Sequence, residues 1–273
     1  MIDFDCSKRA KDGTPIIHDT DIHDYAEALL AEYKGGKYLK EPGKLKPEHF
    51  AESYLGATIE PQDIYYEEGE PPIWGAAVFN NEYVRVFDRE NKTVKSVAVR
   101  ENTILLDNAT LADGMEGFAD FTVLHESGHL CLHQAEYRRA ANQFSLFDGM
   151  DISPRSVVCC RKNVLDGGKR GKLITEEDHR EHQANVFAAA LSMPRPTFIP
   201  TAQEIIRSLG FKDGICVVPS EIGWDYNFAD VALIERLVDI FGRSKTATRI
   251  QLQRYGLMMD EMEYEMRSAG LGF

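Results

Sequence analysis

His125-Glu126-Ser127-Gly128-His129 puts two imidazoles and a carboxylate into one short segment of helical apolar spacing. At ~100° per residue the histidines sit about 40° apart and one turn apart on one helix face. Both can then reach a single tetrahedral zinc. Glu126 is turned about 100° from His125, which suits it to a water near the metal rather than to the metal. The set predicts metal-assisted hydrolysis with Glu126 as general base. Phe118, Phe121 and Leu132 share the histidine face, so the ligands point inward from an apolar wall, where an imidazole needs a partner. Gly128 beside them lets another element approach closely.

Two histidines call for a third protein ligand. A longer zinc pattern with glycine at 132 and histidine at 135 is excluded, because Leu132 and Ala135 stand there. His133 extends the row, but it lies eight residues from His125, ~12 Å along the axis, and reads as an ordinary helix-end histidine. The segment from Thr175 offers carboxylates. Its apolar face is Ala184, Phe187, Ala188 and Leu191, with Glu181 at the edge of that face and Asn185 one turn on. A carboxylate beside a core face needs a cation. Glu177, one turn earlier, competes for the role, whereas His179 and His182 read as solvent-side residues.

The elements that must position these groups can be read from periodicity and punctuation. Residues 20–33 form an amphipathic helix ended by Gly35-Gly36, and a loop over 40–47 follows. Between 55 and 107, short β-rich runs alternate with turn signals: Ala57–Ile59, Ile73–Phe79, Tyr83–Phe87, Val94–Val99 and Thr103–Leu106. Asp113 and Glu116 can form a capping box for the histidine helix, which runs to about His133. Residues 140–174 read as an irregular surface excursion. A helix starts at Thr175, with acids in its first turn, and stops before Pro194. Three or four shorter helices follow Pro200. The class is α+β: a small, mostly antiparallel sheet packed by helices, including the His125–His129 helix, followed by a helical C-terminal region. The boundary is placed after residue 200, giving a catalytic domain over 1–200 and a helical region over 201–273.

Two segments together resemble the ImmA/IrrE family of metallo-endopeptidases. Phe121-Thr122-Val123-Leu124-His125-Glu126-Ser127-Gly128-His129-Leu130-Cys131-Leu132-His133 is similar to its FTxxHExGHxxLH helix. Glu181 to Pro194 (EHQANVFAAALSMP) is similar to its ExxANxFAxxLLMP helix. Ala119-Asp120 stands where the family often has an arginine, and Ser127 and Ser192 stand where it usually has aliphatic residues. The resemblance implies a gluzincin-like site with Glu181 as third ligand and Asn185 supporting the ligands from behind. It also implies a protein substrate, plausibly a helix-turn-helix repressor.

Composition bounds the alternatives. The chain of 273 residues is 43% apolar and can bury one large or two small cores. A net charge of −13 argues against nucleic acid as the direct main ligand, because phosphate binding needs clustered Lys and Arg. There is no apolar run of membrane-spanning length, and the acidic N-terminus lacks a leader's pattern. Five cysteines in no framework spacing fit a reducing compartment, so a cytoplasmic location is expected.

Cys159-Cys160 could cap the open zinc position, although unligated thiols are the favoured reading. The segment 230–258 reads helix, Gly242 turn, helix, with Arg249 and Arg254 on the second helix; packing or partner recognition is favoured over DNA reading. Trp74–Val78 is either a cleft strand that pairs an extended substrate or an interior strand.

The expected function is therefore a zinc-dependent endopeptidase, a hydrolase using metal-activated water. The site comprises His125, His129 and Glu181 for one Zn2+, Glu126 as base and Asn185 behind them; such ligands also accept Mn2+ or Fe2+. The alternative is a regulatory protein whose zinc is structural and whose C-terminal helices bind a repressor or DNA.

Overall fold

The computed structural model describes residues 4–11, 13–137, 157–161, 173–219 and 228–270. The fold is α+β, with small, mostly antiparallel sheets, helices throughout and a chiefly helical C-terminal region. It divides into two compact units, Met1–Tyr33 with Lys46–Leu191, and Lys34–Leu45 with Ser192–Phe273. The division thus falls between Leu191 and Ser192 rather than after residue 200. The apolar row ending at Leu191 is buried, and Pro194 caps the next helix. Residues 34–45 leave the first unit at a turn where Lys34, Gly35 and Gly36 all have positive φ, a conformation that glycine adopts without strain.

In the first unit, α1 (Asp19–Glu32) buries Ile22, Ala26, Leu29 and Leu30. Five strands follow: β1 (Thr58–Gln62), β2 (Ile73–Val78), β3 (Glu82–Asp88), β4 (Thr93–Val99) and β5 (Thr103–Asp107). They lie where the β-rich runs predict strands, but they do not form one sheet. β3 and β4 make a separate hairpin, while β1, β5 and β2 join a four-stranded sheet in the order β1-β5-β2-β6. The last strand, β6 (Val157–Arg161), lies inside the stretch expected to be irregular. Its β-branched Val157 and Val158 suit a strand, but its pairing depends on the edge of β2, which local sequence does not reveal. The rest of 138–172 lies outside the described residues.

β2 runs antiparallel to both neighbours, with Ala76 opposite Leu105 on one side and Cys159 on the other. It is therefore the interior strand, and the alternative that its edge is free for a substrate is corrected. Its small side chains let both faces be covered. Ala76 and Val78 pack with Ile64, Leu105, Val99 and the hairpin's Val84 and Val97. On the opposite face, Ala77 joins Ile104, Leu106, Val123 and Leu130, the last two from α2 (Glu116–Leu132). The predicted capping box at Asp113 does not form. Gly114 turns the chain at φ +82° and donates its N–H to Glu116 Oε1 at 3.2 Å, so that α2 starts after Met115.

α3 (Glu176–Ser192) is capped from Thr175. The Thr175 hydroxyl accepts the Asp178 N–H at 3.1 Å, and Asp178 Oδ2 accepts the Thr175 N–H at 2.8 Å. Ala184, Phe187, Ala188 and Leu191 are wholly buried, as their spacing predicts.

The second unit contains α4 (Arg195–Ser208), α5 (Ala229–Phe241), α6 (Lys245–Arg254) and α7 (Glu261–Ser268), with β7 (Cys216–Val218) parallel to β8 (Met258–Asp260). Gly242 caps α5 at φ +69°, and the Ser244 hydroxyl caps α6. Arg249 on α6 donates to Asp230 Oδ2 at 2.9 Å, so this guanidinium is engaged within its own unit. Among the described residues no helix is long and apolar enough to cross a membrane.

Candidate metal centre

The ligand residues meet because α2 and α3 cross at Gly128. A Cβ on that glycine would stand 3.1 Å from Ala184 Cα and 3.1 Å from Phe187 Cδ1. Without that side chain the helices close up, and residue 181 on α3 comes level with the two histidines of α2.

His125 Nε2 and His129 Nε2 lie 3.0 Å apart. Glu181 faces both, Oε2 at 3.2 Å from His125 Nε2 and Oε1 at 3.3 Å from His129 Nε2. Ligand atoms in a tetrahedron about a zinc at about 2.0–2.1 Å are separated by about 3.3–3.4 Å. The three side chains therefore have the spacing of a zinc ligand set, and all three are buried.

Proton bookkeeping gives the same answer. His125 Nδ1 donates to Asn185 Oδ1 at 3.0 Å, and a neutral imidazole has only one N–H. A neutral His125 then turns its Nε2 lone pair toward Glu181 and His129, a grouping that a cation stabilises. Burial drives the His129 pKa below the ordinary imidazole value, with Glu181 opposing. At Glu181, burial alone would raise the pKa; positive charge at the facing His129 and His125, where a bound cation would also act, holds the carboxyl well below its usual range.

Glu126 is wholly buried on α2. It sits under the backbone of β2, where a Cβ on Gly75 would lie 3.1 Å from its Oε1 and 2.4 Å from Thr122 Cγ2. The glycine at 75 is thus what admits Thr122 and Glu126 beneath the strand. The Trp74 and Phe118 rings meet at a 45° tilt, centroids 4.9 Å apart, near the start of the same helix, and the Phe121 ring lies 6.3 Å from the His125 ring. Phe118 is part-exposed rather than deep in the wall.

The other candidates separate clearly. Glu177 and His179 are exposed. His182 reaches Asp19 at 2.7 Å and is half-buried. Tyr137 stacks on Phe79 in the core, with ring centroids 4.2 Å apart. Ser127 donates its hydroxyl to Val123 O at 2.7 Å, which satisfies a polar group on a buried helix face. The Cys159 and Cys160 side chains lie outside the described part of the structure.

His133 stands at the helix end as expected, as the C-cap of α2, but it is not an ordinary one: it is wholly buried, with Nδ1 3.0 Å from His129 Nδ1 and Nε2 2.9 Å from Gln183 Oε1. Burial holds its pKa well below the ordinary imidazole value. The signal was present in the sequence: His133 continues the His125–His129 row at i+4, on the face already assigned to the core. Gln183 left no comparable signal.

No family model and no curated protein matches the sequence. A Mycobacterium tuberculosis transcriptional regulator is similar over 86% of this chain, at 14% identity and a TM-score of 0.39. This chain spans 47% of the length of that one.

Proposed function

We propose that the chain is a zinc-dependent endopeptidase of the ImmA/IrrE type, with a protein substrate of the helix-turn-helix repressor class. The observation that carries this reading is the convergence of two imidazole nitrogens and one carboxylate, with a second buried carboxylate next in sequence to the first ligand. His125, His129 and Glu181 would hold the metal, and Asn185 orients His125 from behind. Zinc in such a donor set supplies Lewis-acid activation of water and of a scissile carbonyl.

Glu126 accepts the proton released as water attacks and returns it to the leaving amine. Its burial under β2 keeps the carboxylate out of bulk solvent, so that proton passes between reactants rather than to the medium. A purely structural metal site has no use for a carboxylate at that position, which favours the hydrolytic reading over the regulatory one. The Arg249–Asp230 pair also weakens the case for α6 as a DNA-reading helix, because that charge is already engaged.

The test is incubation of the zinc-loaded chain, and of Glu126→Gln, with a purified helix-turn-helix repressor. The wild type should yield two defined fragments, and the variant none while retaining its zinc. An amide matches the carboxylate in size but cannot take the proton. A repressor that is bound but stays whole would favour the structural-zinc alternative.

A further inference from the structure

Behind His129 runs a chain of hydrogen bonds whose direction is fixed from its far end. Gln183 Nε2 lies 2.7 Å from the carbonyl oxygen of Pro15. A carbonyl only accepts, so the amide nitrogen donates there, and Gln183 Oε1 must be the atom facing His133 Nε2 at 2.9 Å. That oxygen also only accepts, so His133 Nε2 carries the proton. A neutral imidazole has one N–H, which leaves a lone pair on His133 Nδ1. This lone pair faces His129 Nδ1 at 3.0 Å, which must then be the protonated nitrogen. His129 Nε2 is left with its lone pair turned toward His125 and Glu181.

We propose that His133 and Gln183 are positioning residues that lock His129 into its Nδ1–H tautomer and so present the Nε2 lone pair to the metal. The proposal rests on the metal reading above and adds a part to it. His125 reaches the same state in one step through Asn185, whereas His129 needs two, because its Nδ1 faces another imidazole rather than an amide. An imidazole can donate or accept at either nitrogen, so His133 alone would not set a direction; Gln183 sets it. Gln183 is itself set by Pro15, in a segment that α3 also holds through Arg180 Nη1 donating to Thr14 Oγ1 at 2.7 Å and through the His182–Asp19 contact. Glu181 is on this same helix. The docking of residues 14–19 on α3 and the readiness of His129 as a ligand are therefore linked, and the linkage is reciprocal.

The experiment uses the full chain labelled with 15N at histidine, together with zinc titration against a chromogenic chelator. Two-bond 1H–15N spectra should show His133 protonated at Nε2 only, both in metal-free and in zinc-loaded protein, and His129 protonated at Nδ1 once zinc is bound. His133→Phe should lower zinc affinity by about 10–100-fold. His133→Asn should recover most of that loss, because its amide oxygen falls near the Nδ1 position and accepts the same proton. Gln183→Met should lower affinity and give mixed His133 tautomers. A spectrum with His133 protonated at Nδ1 overturns the proposal, as does His133→Phe binding zinc like the parent or His133→Asn binding no better than His133→Phe. Failure of the metal reading is distinct: the wild type would take up no zinc while the metal-free spectrum still gave His133 protonated at Nε2.

Discussion

Gly128 and Ala184 mark a close approach of α2 and α3, with the position of a missing glycine Cβ only 3.1 Å from Ala184 Cα. The two distances from Glu181 to the histidines depend on that approach, because the histidines and the carboxylate ride on different helices. The packing of a glycine against an alanine thereby becomes a condition for ligand geometry.

Gly128→Val should therefore destabilise the first unit by about 1–3 kcal/mol through overpacking and should weaken zinc binding by moving Glu181 off the histidines. Gly128→Ala adds only one carbon, and its helix-propensity gain of about 1 kcal/mol offsets the crowding, so it should stay closer to the parent. Urea unfolding and chelator competition on the two variants check the order. Equal zinc affinity in Gly128→Val and the parent would show that the crossing does not set the site.

Removing Glu181 should abolish tight zinc binding, because two histidines alone leave the metal without a charge-neutralising protein ligand. Asn185→Ala should lose about 10–100-fold in affinity, as an orienting partner does. Glu177→Ala should bind zinc like the parent, since Glu177 is exposed on the first turn of α3. Competition titration of the three proteins decides it. Loss of metal in Glu177→Ala with retention in Glu181→Ala would overturn the ligand assignment.

The metal-free protein should lose stability as pH falls below about 6.5, the unfolded histidine pKa. His129 and His133 are held below the ordinary value when folded. The unfolded chain then takes up protons that the folded chain refuses, costing up to ~1.4 kcal/mol per pH unit for each group. Glu181 works in another window. Its folded pKa is depressed, so its contribution is fully present above about 4.3 and is lost only further down. Urea midpoints at about pH 7.5 and 5.5 should show the decline, with a shallower slope in His133→Phe. An equal slope in that variant would remove His133 from the account.

Arg249→Ala should destabilise the second unit by about 1–3 kcal/mol, since it strips a charged donor from Asp230, which is largely buried. The same variant should leave binding to a DNA duplex unchanged, as followed by fluorescence anisotropy. A selective loss of DNA binding, with stability intact, would return α6 to the role of a recognition helix.

Sequence alone determined the parts of this site that lie on one element. The i, i+4 spacing of His125 and His129, the rotation of Glu126 by about 100° from His125, the apolar row from Ala184 to Leu191 and the β-rich runs between 55 and 107 all follow from helix and strand periodicity, which is local. The choice of Glu181 over Glu177 was open on spacing, since both lie near the edge of one helix face. The crossing of α2 and α3 at Gly128 separates the two, with Glu181 buried beside the histidines and Glu177 left in solvent. The interior position of β2 and the strand at Val157–Arg161 also depended on tertiary pairing, because strand hydrogen bonds join residues far apart in sequence. His133 marks the boundary between the two kinds of information. Its place in the histidine row was legible, but its role depends on Gln183 and on a carbonyl at Pro15, which only folding brings within 3 Å of that amide.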